Sequence, residues 1–350
     1  ITILVMVPIR SLQTMQAEDF VTYMGSPICD LLVEVMQGES LEERNEVLSN
    51  ILSEEAGKGY VQSATVLRRV RLQAFSNTDE LVGVHVDTGL SAGKGIVYIS
   101  GTNPSAENHI ALSYLLADEL GKHVGDKVNI LSDNQTYCME VCGIYQDVTS
   151  GGKTAKTIYD FTGELSEKYT YQLELSNDIS AEMFADNLKA GLGSGYSIKS
   201  MDSFLEQTLG GVTARLGQVV YLVILIGMII TIFIVLLYME LRLARNMHAL
   251  AEKMAMGIPI KAICIQELYP MLLLGSTGVI LGIILTEILG EKVVSALFSL
   301  LGLGITSISF SDITISCIAV PVSLVVILVI INVGVCLKVK KIDITGYFNQ

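Results

Sequence analysis

Four consecutive residues invite a chemical reading first. Gly151-Gly152-Lys153-Thr154 has the ending of a phosphate-binding loop, where backbone N–H groups cradle phosphate and the lysine reaches its outer oxygens. That motif also requires a glycine five positions before its second glycine. Asp147 stands there instead, so the stretch is expected to be a flexible loop between strands. The histidines (His85, His109, His123, His248) show no HExxH or other metal-ligand spacing. No Ser-His-Asp or Cys-His signature is present. No catalytic residue, metal site or cofactor is therefore expected. Cys138 and Cys142 on one strand would stand about 13 Å apart, too far to bridge. Cys29 could pair with either, though free buried thiols are the simpler expectation.

The elements behind these residues fall into two kinds. Val219 to Met239 is uncharged throughout and long enough to cross a bilayer, which needs about 20 apolar residues of helix. Two further apolar spans follow, Met271 to Leu289 and Ile313 to Leu337, with Pro321 expected to kink the latter. The opening run ITILVMVPI breaks off at Arg10 and is too short to span. It is expected to be the outer end of a transmembrane helix that starts before Ile1. A signal-peptide remnant is the alternative, but no basic n-region or small-residue cleavage site supports it. The fold class expected is an α+β membrane protein. It has a polar domain over residues 10–217 and a helical domain over 218–350, with three full spans and the end of a first.

Charge orients these parts. The loop after the first full span carries Arg242, Arg245, Lys253 and Lys261, and the tail carries Lys338, Lys340 and Lys341. The connection from Gly290 to Asp312 has only Lys292. Basic residues collect on the cytoplasmic side. Residues 241–266 and the C-terminus are thus expected inside, and the polar domain and 291–311 outside. Residues 10–218 carry 29 acids against 15 bases, which repels phosphate backbones and excludes nucleic acid as a partner.

The inside loop has clear helix punctuation. Asn246 fits an N-cap, Gly257 the left-handed position past a helix end, and Pro259 blocks continuation. Leu250, Ala251, Met254 and Ala255 share one face. Such a helix suits docking into a protein groove, or lying flat on lipid headgroups. Gly275, Gly278 and Gly282 in the second span have a spacing that allows close backbone approach, or simply fit among bulky neighbours. Glu287 sits near the outer end, where its carboxylate can reach the interface.

The run RLARNMHALAEKMAMGIPIKAICIQE, from Arg242 to Glu267, resembles the cytoplasmic loop of FtsX-like ABC-transporter permeases. The tail KVKKIDITGYF is similar to that family's basic, Ile-Asp ending. The resemblance implies that the loop helix is a coupling helix seated in a separate cytoplasmic ABC ATPase, through Leu250, Ala251, Met254, Ala255, Met256 and Gly257. Glu252-Lys253 departs from the family pattern, in which an apolar residue more often precedes the basic one. Pro259 is another departure.

NHIALSYLLADELGKHVGDKVNI followed by YCMEVCGIYQD resembles the ectodomain of the MacB-type branch of that family. From the residues themselves, Ile110 to Leu120 reads as a helix, and Lys127 to Leu131 and Tyr137 to Tyr145 as strands. Strand and helix are expected at Leu31–Met36 and Leu41–Leu52, followed by one or two strands over Tyr60–Phe75, and strand, helix and strand again at Tyr169–Leu175, Ala181–Leu192 and Tyr196–Ser200. These two β-α-β units bracket a β-rich insert at about residues 79–157, and Met201 to Leu216 forms a helix into the first span. The resemblance implies a permease subunit that relays ATP-driven motion to an extracellular domain and is not itself an enzyme. Its partners would be a second permease copy, subunit or repeat, the lipid bilayer, and peptide, lipoprotein or other amphipathic cargo. The alternative is a non-transporting subunit that regulates an extracellular cell-wall hydrolase or senses a peptide for a partner kinase. The implied location is the cell membrane, multi-pass, with the ectodomain outside.

Overall fold

The computed structural model describes residues 2–36, 38, 40–176, 179–193, 195–300, 304–310 and 316–339. Lys340, Lys341 and the Ile342-Asp343 pair of the tail lie outside the described residues, as do 311–315 at the start of the last expected span. The chain divides into two compact units. The helical unit is Ile1–Met15, Thr213–Val294 and Ser309–Gln350, and the sheet unit is Gln16–Val212 and Ser295–Ile308.

Helix α1 (Thr2–Gln16) does not stop at Arg10 but continues for more than a turn beyond it. The sheet unit then runs β1 (Leu31–Val35), α2 (Leu41–Gly57), β2 (Val61–Phe75), β3 (Leu81–Thr88), β4 (Tyr98–Gly101), β5 (His109–Ser113), α3 (Tyr114–Leu120), β6 (Lys127–Ser132), β7 (Gln135–Tyr145), β8 (Thr154–Thr157), β9 (Ser166–Leu175), α4 (Ala181–Gly191) and β10 (Tyr196–Ser200). All ten strands belong to one sheet, ordered β10-β1-β9-β2-β3-β8-β5-β7-β4, with β6 joining β2 to β7.

Two arrangements share that sheet. Strands β1 and β2 both pair antiparallel with β9, so the β1-α2-β2 unit is split by β9. Likewise β9 and β10 both flank β1, which splits β9-α4-β10. The result is a split β-α-β sheet with α2 and α4 packed on it. Helix α2 buries Leu41, Leu48 and Leu52 on one face and carries Glu42 and Glu43 in its first turn, where the helix dipole favours anions. Helix α4 buries Phe184, Ala185 and Leu188.

The second arrangement uses the far half of β2. The pairings β2-β3-β8-β5-β7-β6-β2 form a closed ring, a small barrel with no free edge within it. Val70, Leu72 and Ala74 of β2 alternate into its core, against Ile110, Leu112, Ile130 and Val141. Strand β2 is long enough to serve both arrangements.

The expected helix at Ile110 to Leu120 is corrected: its first half is strand β5. The segment His109–Ser113 lies between β7 and β8 and is buried on both faces. A strand covered on both faces reads as a continuous apolar run, which periodicity cannot separate from a buried helix. Helix formation begins only at Tyr114.

The helical unit holds α1 and most of the three remaining long helices: α5 (Met201–Arg245), α7 (Ile260–Leu300) and α8 (Ser316–Val339), with the short α6 (Met247–Ala255) between α5 and α7. Helices α5 and α7 are long and apolar enough to cross a membrane. Only 22% and 17% of their most apolar windows is buried. A core helix of a soluble protein would be mostly covered, whereas Tyr221, Phe233 and Leu274 here are exposed. Within α8 the described apolar stretch is the shorter Ile318–Ile331. Pro270 and Pro321 are both accommodated inside helices.

Candidate functional site: the loop helix and its flanking spans

Helix α6 is closed at its end by a Schellman turn. The N–H of Gly257 donates to the Met254 carbonyl (3.1 Å), and that of Ile258 to the Lys253 carbonyl (3.1 Å). Gly257 has φ +80°, which a Cβ would strain. Asn246 stands at the expected N-cap position, but its side chain makes no capping bond. Pro259 does not end α6, which has already closed; its carbonyl accepts the first turn of α7, from Ala262 N–H at 2.9 Å. Lys253 Nζ donates to Gln266 Oε1 (3.0 Å), fastening α6 to α7.

The six expected docking residues do not share one surface. Leu250 is 3% exposed, and Ala251 and Met254 are half-buried. Ala255, Met256 and Gly257 are exposed, with Met256 at 72% and Ile258 beside it also open. The free apolar surface is thus the tip of the loop at 255–258.

Gly275, Gly278 and Gly282, three of the four glycines of α7, have different surroundings. A Cβ on Gly282 would lie 2.5 Å from Thr2 Cβ of α1, and one on Gly275 would lie 2.5 Å from Leu328 Cδ1 of α8. At Gly278 nothing lies within 4 Å. It opens instead on an apolar cavity of about 370 Å³, lined by Thr231, Val235, Met271 and Leu274 among others. Gly227 of α5 also meets Val5 of α1, a close approach that the sequence reading missed.

Glu287 is explained by a partner. Arg10 donates from Nη1 to Glu287 Oε1, and its guanidinium stacks 4.8 Å over the Phe310 ring. The Arg10 side chain is 6% exposed and that of Glu287 50%. This pair lets α1 carry an arginine through its middle without ending.

The sheet unit carries two features of its own. A groove of about 690 Å³ lies between α2 and α4, with Ile51, Tyr60, Met183 and Leu188 in its walls. Its size and mixed lining are those of small-ligand or peptide sites. The second is a buried ionic cluster. Arg69 makes a two-pronged pair with Asp87 (2.6 and 2.9 Å), and Lys156 Nζ reaches the same carboxylate at 3.0 Å. Nearby, Tyr145 donates to Thr154 Oγ1 (2.8 Å), which donates to Asp147 Oδ2 (2.6 Å). Thr149 adds its N–H and hydroxyl to Asp147 Oδ1. Burial acts to raise the pKa of Asp87, but Arg69 and Lys156 outweigh it and hold the carboxyl far below its usual range. Burial raises the pKa of Asp147, against the pull of Lys156 and its three hydrogen bonds.

No family model and no curated protein matches the chain. Solved structures similar to part of it include two from transport systems. One is the extracellular domain of the noncanonic ABC-type transporter YknZ from Gram-positive bacteria, 16% identical over 49% of this chain and 100% of that one, with a TM-score of 0.30. The other is a domain described as that of a permease from Porphyromonas gingivalis, 12% identical over 49% of this chain and 89% of that one, also at 0.30. At that TM-score neither establishes a common fold.

The structure also explains why Gly151 to Thr154 is not a phosphate loop. Asp147, in the place of the motif's first glycine, is itself the anion bound by Thr149 N–H. Gly152 and Thr154 are buried, and Lys153 pairs outward with Glu119 (2.8 Å). The stretch connects β7 to β8 as expected, with Gly151 exposed and Gly152 and Thr154 packed inward. The three thiols of the sheet unit are free, but only Cys29 is buried, with its pKa pushed up to about 12 by that burial. Cys138 is exposed. Among the described residues no group of side chains could hold a metal ion.

Proposed function

We propose that this chain is the membrane-spanning permease subunit of an FtsX-like ABC transporter, with a MacB-type ectodomain. The observation that carries this reading is the loop between α5 and α7. Two helices able to cross a membrane are joined by a short helix, fixed at its end by the Gly257 turn and tied to α7 through Lys253, with Met256 and Ile258 presented at its tip. A separate ABC ATPase on the cytoplasmic side receives that tip in an apolar pocket. Closure of two ATPases on ATP moves two such loops together, one from each of two permease copies, subunits or repeats. Helix α5 is continuous from Arg245 back to Met201, directly after β10, so motion at the loop is carried along one helix toward the sheet unit. The groove between α2 and α4 is then the place for an amphipathic peptide or lipoprotein cargo taken from outside the membrane. The polar unit lies outside and the protein is multi-pass in the cell membrane.

A cysteine placed at Met256, in the chain co-expressed with the ATPase encoded beside it, tests the docking. Cross-linking from position 256 to the ATPase, with none from Leu250→Cys, is expected. Equal labelling of both positions by membrane-impermeant reagents from outside would refute the topology.

A further inference from the structure

The outer wall of the barrel, wholly within the sheet unit, is interrupted at one place. Strand β9 pairs with β2 as far as Val70, opposite Ser166, and β6 joins the same strand only from Gln73, opposite Leu131. Leu72 turns into the barrel core, so by strand alternation Arg71 and Gln73 stand outside it. A cleft of about 550 Å³ opens here, lined by Arg71, Gln73, Gly83, Asp133, Asn134 and Glu164 among others. Gly83 lies opposite Gln73 on β3, and a Cβ on it would meet nothing within 4 Å, so this part of the cleft is empty space. Asp133 and Asn134 form the two-residue turn between β6 and β7, closed by the Ser132–Gln135 pair. Their φ values of +45° and +58° are those that Asp and Asn tolerate in such hairpins. Glu164 fastens the turn, its Oε1 accepting the Asp133 N–H (2.7 Å) and the Ser132 hydroxyl (2.9 Å).

This cleft holds unspent charge of both signs. Among the described residues, the side chains of Arg71, Gln73 and Asn134 and the carboxylate of Asp133 make no hydrogen bond or ion pair. His85, which faces Arg71 across β2 and β3, is taken up by Glu167 Oε2 (2.7 Å). An arginine fork receives a carboxylate through two parallel N–H donors, and a carboxylate receives an ammonium group. The volume is that of a small-ligand site. We propose that the cleft binds a small zwitterion, the class of a free amino acid or a short peptide with both ends free. Arg71 takes its carboxylate, with the Gln73 and Asn134 amides as neutral donors, and Asp133 takes its ammonium group. The site is distinct from the groove between α2 and α4 and does not depend on the transporter reading.

Ligand-observed NMR of the full chain in lipid nanodiscs, with alanine and alanyl-alanine as probes, tests this without any ATPase. At least one probe is expected to bind at millimolar concentration, and the tighter of the two tells a free amino acid from a peptide. Arg71→Gln and Asp133→Asn should each weaken that binding about ten-fold or more. Asn suits the left-handed turn as Asp does, so the second change leaves the hairpin intact. The C-terminal amide of the probe should bind the parent no better than it binds Arg71→Gln, and the N-acetyl form no better than it binds Asp133→Asn. Gly83→Val puts a side chain into the empty part of the cleft and suits a strand, so binding should be lost with Tm kept or raised. Absence of binding by both probes, or binding that Arg71→Gln and Gly83→Val leave unchanged, overturns the proposal.

Discussion

Replacing Gly275, Gly278 and Gly282 of α7 by alanine, one at a time, separates packing within the chain from a face reserved for a partner. At Gly282 the new methyl would sit 2.5 Å from Thr2 Cβ and 2.9 Å from both Thr2 Cγ2 and Oγ1. Carbon pairs prefer about 3.5–4.0 Å, so roughly 1 Å must be found. Thr2 Cβ is bonded directly to the α1 backbone and cannot swing aside, so α1 itself must move, straining the Arg10–Glu287 pair further along it. Overpacking of this kind costs about 1–3 kcal/mol. At Gly275 the atom in the way is the tip of Leu328, and a change of rotamer at about 0.5–1.5 kcal/mol relieves it. At Gly278 the methyl enters open cavity, and Gly278→Ala should be neutral or stabilising. The assay is reversible SDS titration of the full chain in mixed micelles, followed by helical circular dichroism. The expected order of cost is Gly282, then Gly275, then Gly278. A Gly278→Ala variant as unstable as Gly282→Ala would refute the reasoning and return the stripe to an intermolecular contact.

Four other outcomes are expected. Burial raises the pKa of Asp147, so its ionised form costs folding stability at neutral pH, a cost relieved as pH falls through the raised value. Asp147→Asn should match or exceed the parent Tm at pH 7, its advantage shrinking toward about pH 4; a lower Tm with an unchanged pH slope would count against this. Asp87 has the opposite sign: its contribution is present above the unfolded carboxyl pKa of about 4 and lost only in much stronger acid. Glu287→Ala removes one partner of the buried Arg10 guanidinium and should cost more than Arg10→Met, which leaves a half-exposed carboxylate, both read by the same SDS titration. Leu112→Ala in the barrel core should lose about 2–5 kcal/mol in urea unfolding; a loss below 1 would mean the barrel interior is not packed as described.

Much of the fold was legible because its signals are local. The alternation of Val70, Leu72 and Ala74, the leucines of α2 and the Gly257 turn each announce their element within a few residues. What escaped depends on partners far along the chain. Ile110 and Leu112 look the same on a buried strand and on a buried helix until β7 and β8 are seen on either side. Arg10 seemed to end an apolar run because its acceptor, Glu287, is 277 positions away. Gln146 and Asp147 sit in a polar stretch that reads as surface loop, yet both are buried through bonds to Thr306, Ser307 and Thr154. In the loop helix, spacing identified an apolar face at Leu250, Ala251 and Met254. It could not tell that the chain covers much of this face itself and leaves Met256 and Ile258 free.

ATP turnover of the full chain reconstituted in lipid with the ABC ATPase that the proposed function requires, comparing Met256→Glu with the parent, tests the proposed docking of the loop most directly. Met256 is exposed, so a charge there leaves the fold intact and acts only on what the tip meets. The expected result is a folded complex whose turnover falls at least ten-fold, or which no longer assembles. Full assembly and unchanged turnover with Met256→Glu would contradict the account.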